Sequence, residues 1–407
     1  MTKFDKHFKM SESDIIDYTR EKLDVFGSGD LLFCQEIGDG NINYVFKVYC
    51  KETGKSIIIK HADDNVRSGG MLDKDRNVLE AEMLIIENKL APGMVPKVYL
   101  YDSVMSCLVM EDLSDHVIMR SALVDYKTFD DFADNITDFL IQTLLPTTDL
   151  IMLPSEKKNL VKRYINPELC EISERLVYSE PYTNASGRNL VANENLLLVE
   201  ELLYSDTKLH LEVAKLKNDF MSNAQALIHG DLHTGSIFIK PNSVKVIDPE
   251  FAFYGPMGYD IGNVIANLFF AWIHAYVEIG DVETRDDFIV WISSTIQNTI
   301  DLFKQKFIDY LEKNTTERMA KSKGFYEWYL NVVLVDTAGV TGLEIIRRIV
   351  GPAKVLDITG IKDSEAHALA ERIGVLLGKE LIINREYFKD GNDYILAFER
   401  ITSEVSN

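Results

Sequence analysis

Three carboxylates near the middle of the chain have a spacing that suits phosphoryl transfer. Asp231 lies in the segment HGDLHTGS, just before a predicted strand, and Asp248 and Glu250 come directly after the next predicted strand. A hairpin would bring the start of one strand beside the end of the other, so all three carboxylates could face one point. One would then orient the attacking hydroxyl, and the others would hold the Mg²⁺ that bridges the phosphates. Single Asp residues in loops usually cap turns, but the combined pattern favours a kinase site.

Two histidines, His229 and His233, flank Asp231 in the same segment. They lie on a predicted loop rather than on a helix, and no third His or Cys is near them in the sequence, so a zinc site is not expected. We expect His229 to hold the loop through a hydrogen bond.

A glycine-bearing turn and a lysine supply candidate phosphate contacts nearer the N-terminus. Gly38 and Gly40 lie between the first two predicted strands, where backbone N–H groups can cover phosphates. Lys60 ends the third predicted strand and can reach the α- and β-phosphates if a carboxylate orients it. Glu80 and Glu82 on the following predicted helix are both candidates for that carboxylate. The alternatives are an ordinary hairpin turn and a solvated lysine at a strand end.

Two adjacent arginines, Arg347 and Arg348, follow an apolar helix face in an acidic chain. Neighbouring residues on a helix are about 100° apart, so one arginine could point into a cleft while the other pairs elsewhere. An arginine in the cleft could bind sugar hydroxyls and stabilise charge in the transition state. The alternative is a pair of helix-end arginines that the helix dipole favours.

The elements that would position these residues divide the chain into an α+β N-terminal lobe and a mostly helical C-terminal lobe. The first lobe has three strand-like runs (LLFCQEI, YVFKVYC and SIIIK), a helix over residues 73–90 and two further strand-like runs (VPKVYLYD and SCLVM). Ser11 and Asp14 predict a capped helix before the first strand. Apolar periodicity then predicts helices over residues 127–145, 191–226, 259–279, 286–312 and 325–350. The predicted domains are residues 1–113 and 114–407, joined at the segment EDLS.

The composition is that of a soluble globular protein with a strongly acidic surface. The 407 residues include 43 basic and 64 acidic side chains, which gives a net charge of -21. Such a surface repels nucleic acid and anionic membranes, so we expect neither as a partner. It also repels free ATP, so a nucleotide site would need local cations, backbone donors and a metal ion. The apolar pattern of Ile261–Ile279 is helical and interrupted, so it predicts a buried helix. We expect a cytoplasmic location, because the cysteines are scattered and the N-terminus has no signal-like apolar run.

The segments HGDLHTGS and IDPEFAFYGPMGYDIG resemble those of the aminoglycoside and choline kinase branch of the protein-kinase-like fold. Within that branch the chain looks like the family of bacterial 5-methylthioribose kinases, and the resemblance extends from GDGNINYVF through VMEDLS to LEIIRRIVG. It implies a bilobal protein-kinase-like fold with ATP and Mg²⁺ as cofactors. It also implies phosphorylation of the 1-hydroxyl of S-methyl-5-thioribose in methionine salvage, by a homodimer.

The resemblance also implies roles for the three carboxylates. By similarity Asp231 is the catalytic base and contacts the substrate, while Asp248 and Glu250 are the metal and phosphate residues, with Pro249 between them at the ATP site. One position departs from the broader kinase pattern, because Ser236 stands where a metal-binding Asn is expected. Since Ser is a weaker metal ligand, we expect Glu250 to bind the metal in place of that Asn.

Further ATP contacts are implied in the N-terminal lobe. The resemblance favours Glu80 over Glu82 as the partner of Lys60, and it places Asn41 of the glycine-bearing turn against ATP. It also implies a hinge whose backbone pairs with the adenine edge, formed by Glu111, Asp112 and Leu113.

Arg347 and Arg348 resemble the twin arginine of methylthioribose kinases, and the first is the better candidate for substrate contact. Related kinases for aminoglycosides, choline or homoserine are alternatives, but twin arginines would repel a cationic acceptor. A non-catalytic kinase-like binding module is a further alternative. The intact lysine and carboxylates argue against it.

Overall fold

A computed structural model describes residues 2–37, 43–63, 76–278 and 282–406. The chain divides into two compact units. The first unit comprises residues 1–116 and 245–252, and the second comprises residues 117–244 and 253–407. The functional lobe boundary at residue 113 stays a prediction.

The first unit has a five-stranded antiparallel sheet and two helices, one before the first strand and one between the third and fourth strands along the chain. Its elements are α1 (Glu12–Lys22), β1 (Leu32–Ile37), β2 (Tyr44–Cys50), β3 (Ser56–His61), α2 (Arg76–Leu90), β4 (Val98–Asp102) and β5 (Cys107–Glu111). The strand order is β1-β2-β3-β5-β4, and every neighbouring pair is antiparallel. Ser11 and Asp14 form the predicted capping box of α1. The predicted order of three strands, a helix and two strands is therefore confirmed.

The alternation of side chains along β3 decides where Lys60 points. Ile57 and Ile59 are fully buried in the core cluster that includes Ile15 and Tyr18 of α1. Because successive strand residues face opposite sides of a sheet, Lys60 lies on the other face. The strand therefore directs Lys60 away from the α1 side of the sheet.

The second unit is mostly helical. Its elements are β6 (Val117–Ile118), α3 (Met119–Val124), α4 (Phe132–Leu144), α5 (Pro154–Arg163), α6 (Pro167–Leu176), α7 (Glu180–Thr183), α8 (Leu196–Val199), α9 (Thr207–Ser222), β7 (Ala226–Ile228), β8 (Ile237–Lys240), β9 (Ser243–Val246), β10 (Phe253–Gly255), α10 (Gly258–Val277), α11 (Val282–Asn314), α12 (Phe325–Val350), α13 (Leu356–Thr359), α14 (Ser364–Ile383) and α15 (Gly391–Ser406). Along the chain, the division between the units falls inside β9, since Val244 belongs to the second unit and Lys245 to the first. Antiparallel pairs join β7 to β10 and β6 to β8. These pairs fix both ends of the loop between β7 and β8.

Helices α10, α12 and α14 form the centre of the second unit. Helix α12 packs on both of the others, and nearly every residue of α10 is buried. The buried helix predicted at Ile261–Ile279 is thereby confirmed as far as Val277, and Ile279 lies outside the described residues. Gly342 of α12 lies against the backbone of α14, since a Cβ atom there would stand 2.3 Å from the carbonyl oxygen of Gly378. This close approach fixes the depth at which the C-terminal half of α12 lies in the core.

Helix α12 is the one helix in the described parts of the chain with the length and apolarity to cross a membrane. Most of it is buried inside the second unit, and core helices of soluble proteins meet the same criteria. Buried charged residues near its C-terminal end, Glu344, Arg347 and Arg348, pair with one another. We therefore describe α12 as a core helix.

The single helix predicted over residues 191–226 is wrong. The structure has α8, a π-helical turn at Glu200–Tyr204, and then α9. Asp206 ends the first part and caps α9, because its side chain accepts hydrogen bonds from the backbone N–H groups of Lys208 and Leu209. A local cap therefore divides an apolar pattern that had the period of one long helix.

Candidate active site

In the first unit, Lys60 lies between two carboxylates. Its Nζ atom is 2.7 Å from Oε1 of Glu80 and 2.5 Å from Oδ1 of Asp248. Burial alone would lower the pKa of Lys60, but the charges of Asp248, Glu80 and Glu250 raise it above its ordinary value. Lys60 is therefore a cation held in a fixed position, and the predicted ion pair with α2 is made by Glu80.

Three carboxylates around Lys60 form a cluster with the composition of a site for a hard cation. Glu80, Asp248 and Glu250 each offer an oxygen atom, and these atoms all lie within 4.8 Å of one another. Asp248 is partly exposed and has a φ of 69°, a left-handed conformation that is uncommon outside glycine and concentrates at functional sites. Mg²⁺ prefers carboxylate oxygens and keeps several waters, so one buried and one accessible carboxylate fit it. Asp248 and Glu250, predicted as metal residues, thus lie together, and Pro249 between them accepts a hydrogen bond from Ala252.

The predicted hinge residues lie at the end of β5. The side chain of Asp112 is held by Lys47 Nζ at 2.7 Å and by Ser56 Oγ at 2.6 Å. Glu111 pairs with Lys245 at 2.8 Å, and Leu113 is buried. These contacts leave the hinge role itself a prediction. The predicted phosphate contacts of Gly38, Gly40 and Asn41 lie outside the described residues.

In the second unit, α10 holds the start of the loop that carries Asp231. The carboxylate of Asp260 accepts hydrogen bonds from the backbone N–H of His229 at 2.7 Å and of Gly230 at 2.9 Å. Gly230 has a φ of 82°, so the chain turns sharply just before Asp231. His229 holds the loop as expected, because its Nδ1 accepts the backbone N–H of Asp231 at 3.3 Å.

Both arginines of α12 converge on Asp231. Nη2 of Arg347 lies 3.2 Å from Oδ1 of Asp231, and Nη2 of Arg348 lies 3.5 Å from the same oxygen. Burial alone would raise the pKa of Asp231, but His233, Arg348 and Arg347 lower it well below its ordinary value. Asp231 is thus an ionised, partly exposed carboxylate.

Glu344 ties the two arginines together from the preceding turn of α12. It is fully buried, and it accepts hydrogen bonds from Nε of Arg347 and, at 2.8 Å, from Nε of Arg348. The sequence interpretation let one arginine pair elsewhere, whereas both pair with Glu344 and Asp231. The reason is that residues three and four positions apart on a helix share a face, which the 344–347 and 344–348 spacings satisfy.

Replacing Glu344 with glutamine should destabilise the protein by about 3–5 kcal/mol, because two buried cations would lose their shared anion. Burial raises the pKa of Glu344, but the arginines lower it below its ordinary value overall. Its contribution is therefore present at neutral pH and fades as the pH falls through the lowered pKa. Urea unfolding of wild type and variant at neutral and acidic pH measures both effects.

The matched control is Glu327→Gln, an exposed glutamate on the first turn of the same helix. We expect this control to leave the unfolding midpoint unchanged. Equal midpoints for the two variants at neutral pH would contradict the shared-anion role of Glu344.

His233 is a site residue whose role the sequence did not indicate. Its Nδ1 accepts the backbone N–H of Ser236 at 3.1 Å, and its Nε2 lies 3.5 Å from Oδ2 of Asp231. Burial, aided by nearby arginines, lowers the pKa of His233 to about 4. The imidazole is therefore neutral at pH 7 and faces Asp231 without adding positive charge there. At that pH, Arg348 and Arg347 supply the positive charge that keeps Asp231 ionised. The sequence signal that could have found His233 is its position two residues after Asp231 on the same loop.

The predicted site residues thus form two clusters, one in each unit. Lys60, Glu80, Asp248 and Glu250 belong to the first unit, and Asp231 with the twin arginines belongs to the second. That Asp231 faces the same point as Asp248 and Glu250 stays a prediction.

A paired lysine and carboxylate cluster on a small antiparallel sheet, with an aspartate loop in a helical unit, is the arrangement of a phosphotransferase of the protein-kinase-like fold. Residues 34–284 match the model of the phosphotransferase enzyme family, and the chain belongs to this family. It is 40% identical to the methylthioribose kinase of Geobacillus sp. strain WCH70, over 95% of this chain and 94% of that protein. Methylthioribose kinases of Geobacillus kaustophilus and Erwinia tasmaniensis are 38% and 36% identical over 93% of this chain, and 93% and 95% of their own lengths are covered.

Proposed function

We propose that the chain transfers the γ-phosphoryl group of ATP to the 1-hydroxyl of S-methyl-5-thioribose, a step of methionine salvage. The observation that carries the proposal is the ionised, partly exposed Asp231 held by two arginines, which suits a neutral polyhydroxyl acceptor. Similarity to proteins named methylthioribose kinase over nearly the whole chain supports this acceptor.

The first unit would bind the nucleotide. We assign Lys60, positioned by Glu80, to the α- and β-phosphates, and Asp248 and Glu250 to Mg²⁺. When bound, Mg²⁺ would neutralise charge on the phosphates. The adenine edge would pair with the backbone of the hinge. The remaining assigned ATP contacts are Gly38, Gly40, Asn41, Glu111, Asp112, Leu113 and Pro249.

The second unit would bind the acceptor. Asp231 would accept a hydrogen bond from the 1-hydroxyl and orient it for attack. Arg347 and Arg348 would donate hydrogen bonds to other sugar hydroxyls and stabilise charge that develops during transfer. Because Glu344 and Asp231 already fix both guanidinium groups, little side-chain entropy is lost when the sugar binds.

The acceptor is tested by following ATP consumption with methylthioribose, choline, homoserine and an aminoglycoside. We expect turnover with methylthioribose and little with choline or the aminoglycoside, since two fixed arginines repel cations. Turnover of another acceptor without turnover of methylthioribose would show that the acceptor assignment is wrong. Failure to bind ATP in the presence of Mg²⁺ would favour a non-catalytic binding module instead.

We also propose that the protein works in the cytoplasm as a homodimer. The resemblance to dimeric kinases supports the homodimer, and light scattering on the purified protein measures its mass. A monomeric mass at working concentration would contradict it.

A further inference from the structure

The loop that carries Asp231 is attached to α10 at a second point beyond Asp260. Oδ1 of Asn267 accepts hydrogen bonds from Oγ1 of Thr234 at 3.1 Å and from the backbone N–H of Thr234 at 3.4 Å. Asp260 and Asn267 are seven residues apart, which is about two helical turns, so both lie on the same face of α10. One contact precedes Asp231 in the loop and the other follows it.

A third arginine fixes the orientation of the Asn267 amide. Nη2 of Arg120, on α3, donates to Oδ1 of Asn267 at 3.0 Å, and Nδ2 of Asn267 donates to the carbonyl of Asn263 at 2.9 Å. A guanidinium group has donors and no acceptor, so the amide must present its oxygen to Arg120 and to the loop. Asp357, which is almost fully buried, lies 3.8 Å from Nε of Arg120 and balances its charge.

Arg120 also lies directly against the loop backbone. A Cβ atom on Gly235 would stand 3.0 Å from Nη1 of Arg120 and 2.9 Å from Cε1 of His233. Glycine therefore lets the loop pass between the guanidinium group and the imidazole ring. The position of His233 depends on this packing, and His233 in turn faces Oδ2 of Asp231.

The same packing fixes the tautomer of His233. Since Nδ1 accepts the backbone N–H of Ser236, the ring proton is on Nε2, which faces Asp231. The charged groups around the ring are Asp231, Arg120, Arg348 and Glu344. Arg120 is the cation among them that also contacts the loop backbone, and its charge disfavours a second proton on the ring.

We propose that Asn267 and Arg120 are positioning residues of the transfer reaction, which hold the second half of the loop so that neutral His233 presents Nε2–H to Asp231. The expected fall in kcat rests on the proposed function, whereas the expected position and tautomer of His233 do not. A displacement of the loop by a fraction of an ångström would misplace Asp231 relative to the acceptor hydroxyl, without changing the residues assigned to ATP.

The kinetic test compares Asn267→Ala with Asn263→Ala. Asn263 is an equally buried asparagine one turn earlier on α10, and its side chain bonds the carbonyl of Tyr259 on the same helix. We expect Asn267→Ala to lower kcat by about 10²-fold with KM for ATP unchanged. Asn263→Ala should keep the wild-type kcat. Equal kcat values for the two variants, or a joint change in kcat and KM for ATP, would overturn the proposal.

The second readout does not depend on activity. Imidazole ¹⁵N spectra of the full-length protein, with the His233 signals assigned from His233→Gln, report the tautomer and the pKa. Arg120→Met is combined with Asp357→Asn so that no buried carboxylate loses its cation, and Asp357→Asn alone is the reference. We expect the Nε2–H tautomer of His233 in the reference, and a raised pKa of His233 with mixed tautomers in the double variant.

Identical His233 signals in the two proteins would overturn the proposal. A wild-type protein that is inactive on every acceptor would refute only the proposed function.

Discussion

Asp231→Asn is expected to lower kcat by about 10²–10⁴-fold, the range for loss of a general base. Asparagine keeps the size of the side chain and an oxygen that Arg347 and Arg348 can bond, so the local packing is retained. It cannot accept a proton from the acceptor hydroxyl. Steady-state kinetics with methylthioribose measure the change, and titration calorimetry with ADP and Mg²⁺ should show nucleotide binding close to wild type.

The low pKa of Asp231 shapes this prediction. A carboxylate whose pKa is held far below its ordinary value is a weak base, so it orients the hydroxyl first and accepts its proton only late in the transfer. That suits phosphoryl transfer, whose loose transition state needs little prior removal of the proton. Because Asp231 stays ionised well below neutral pH, a fall in kcat between pH 8 and pH 6 must come from another group.

The control for Asp231→Asn is Asp125→Asn, since Asp125 is mostly exposed and pairs with Lys127 at the surface. This control should be fully active. Normal turnover by Asp231→Asn would show that the base is assigned to the wrong residue.

The strands of the first unit could be predicted because their determinants are local. Runs rich in β-forming residues and glycine-bearing turns mark β1, β2 and β3 in the sequence. Because successive strand residues face opposite sides of a sheet, Lys60 lies on the other face from Ile59. The partner of Lys60 could not be settled in this way. It depends on how α2 is rotated against the sheet, and only the resemblance favoured Glu80 over Glu82.

For the twin arginines, the sequence prediction considered the direction of each residue on the helix but not the length of the side chains. Helix geometry separates Arg347 from Arg348 by about 100°. Their long side chains nevertheless reach one buried carboxylate, and the sequence contains the signal for it, because Glu344 precedes them by three and four positions. Including Glu344 in the pattern would have predicted their convergence.

The second anchor of the loop could not be found from the sequence. Arg120 and Asn267 are 147 residues apart, and Thr234 and Asn267 are 33 residues apart. No periodicity links them, since the contacts depend on the packing of α3 and α10 around the loop. Tertiary hydrogen bonds of this kind become visible only when the fold is known.

Asp248→Asn is expected to lower kcat by about 10³-fold, because a metal-bridged phosphate is worth several kcal/mol to the transition state. The substitution keeps the fold, since asparagine tolerates the left-handed φ of 69° at this position. It removes the charge that lies 2.5 Å from Lys60 and one of the two carboxylates assigned to Mg²⁺. ADP titrated with and without Mg²⁺ should then bind with nearly the same affinity, whereas wild type should bind more tightly with the metal.

Two further substitutions separate the carboxylate from the backbone strain. Glycine adopts the left-handed conformation freely, whereas alanine there should cost about 1–2 kcal/mol. Asp248→Gly and Asp248→Ala should therefore lose activity equally, while Asp248→Ala alone unfolds at a lower temperature. If activity instead followed the melting temperature across the three variants, Asp248 would be a structural residue and the metal site would lie elsewhere. Loss of activity in all three, with stability following the backbone preference, is the result that a catalytic carboxylate requires.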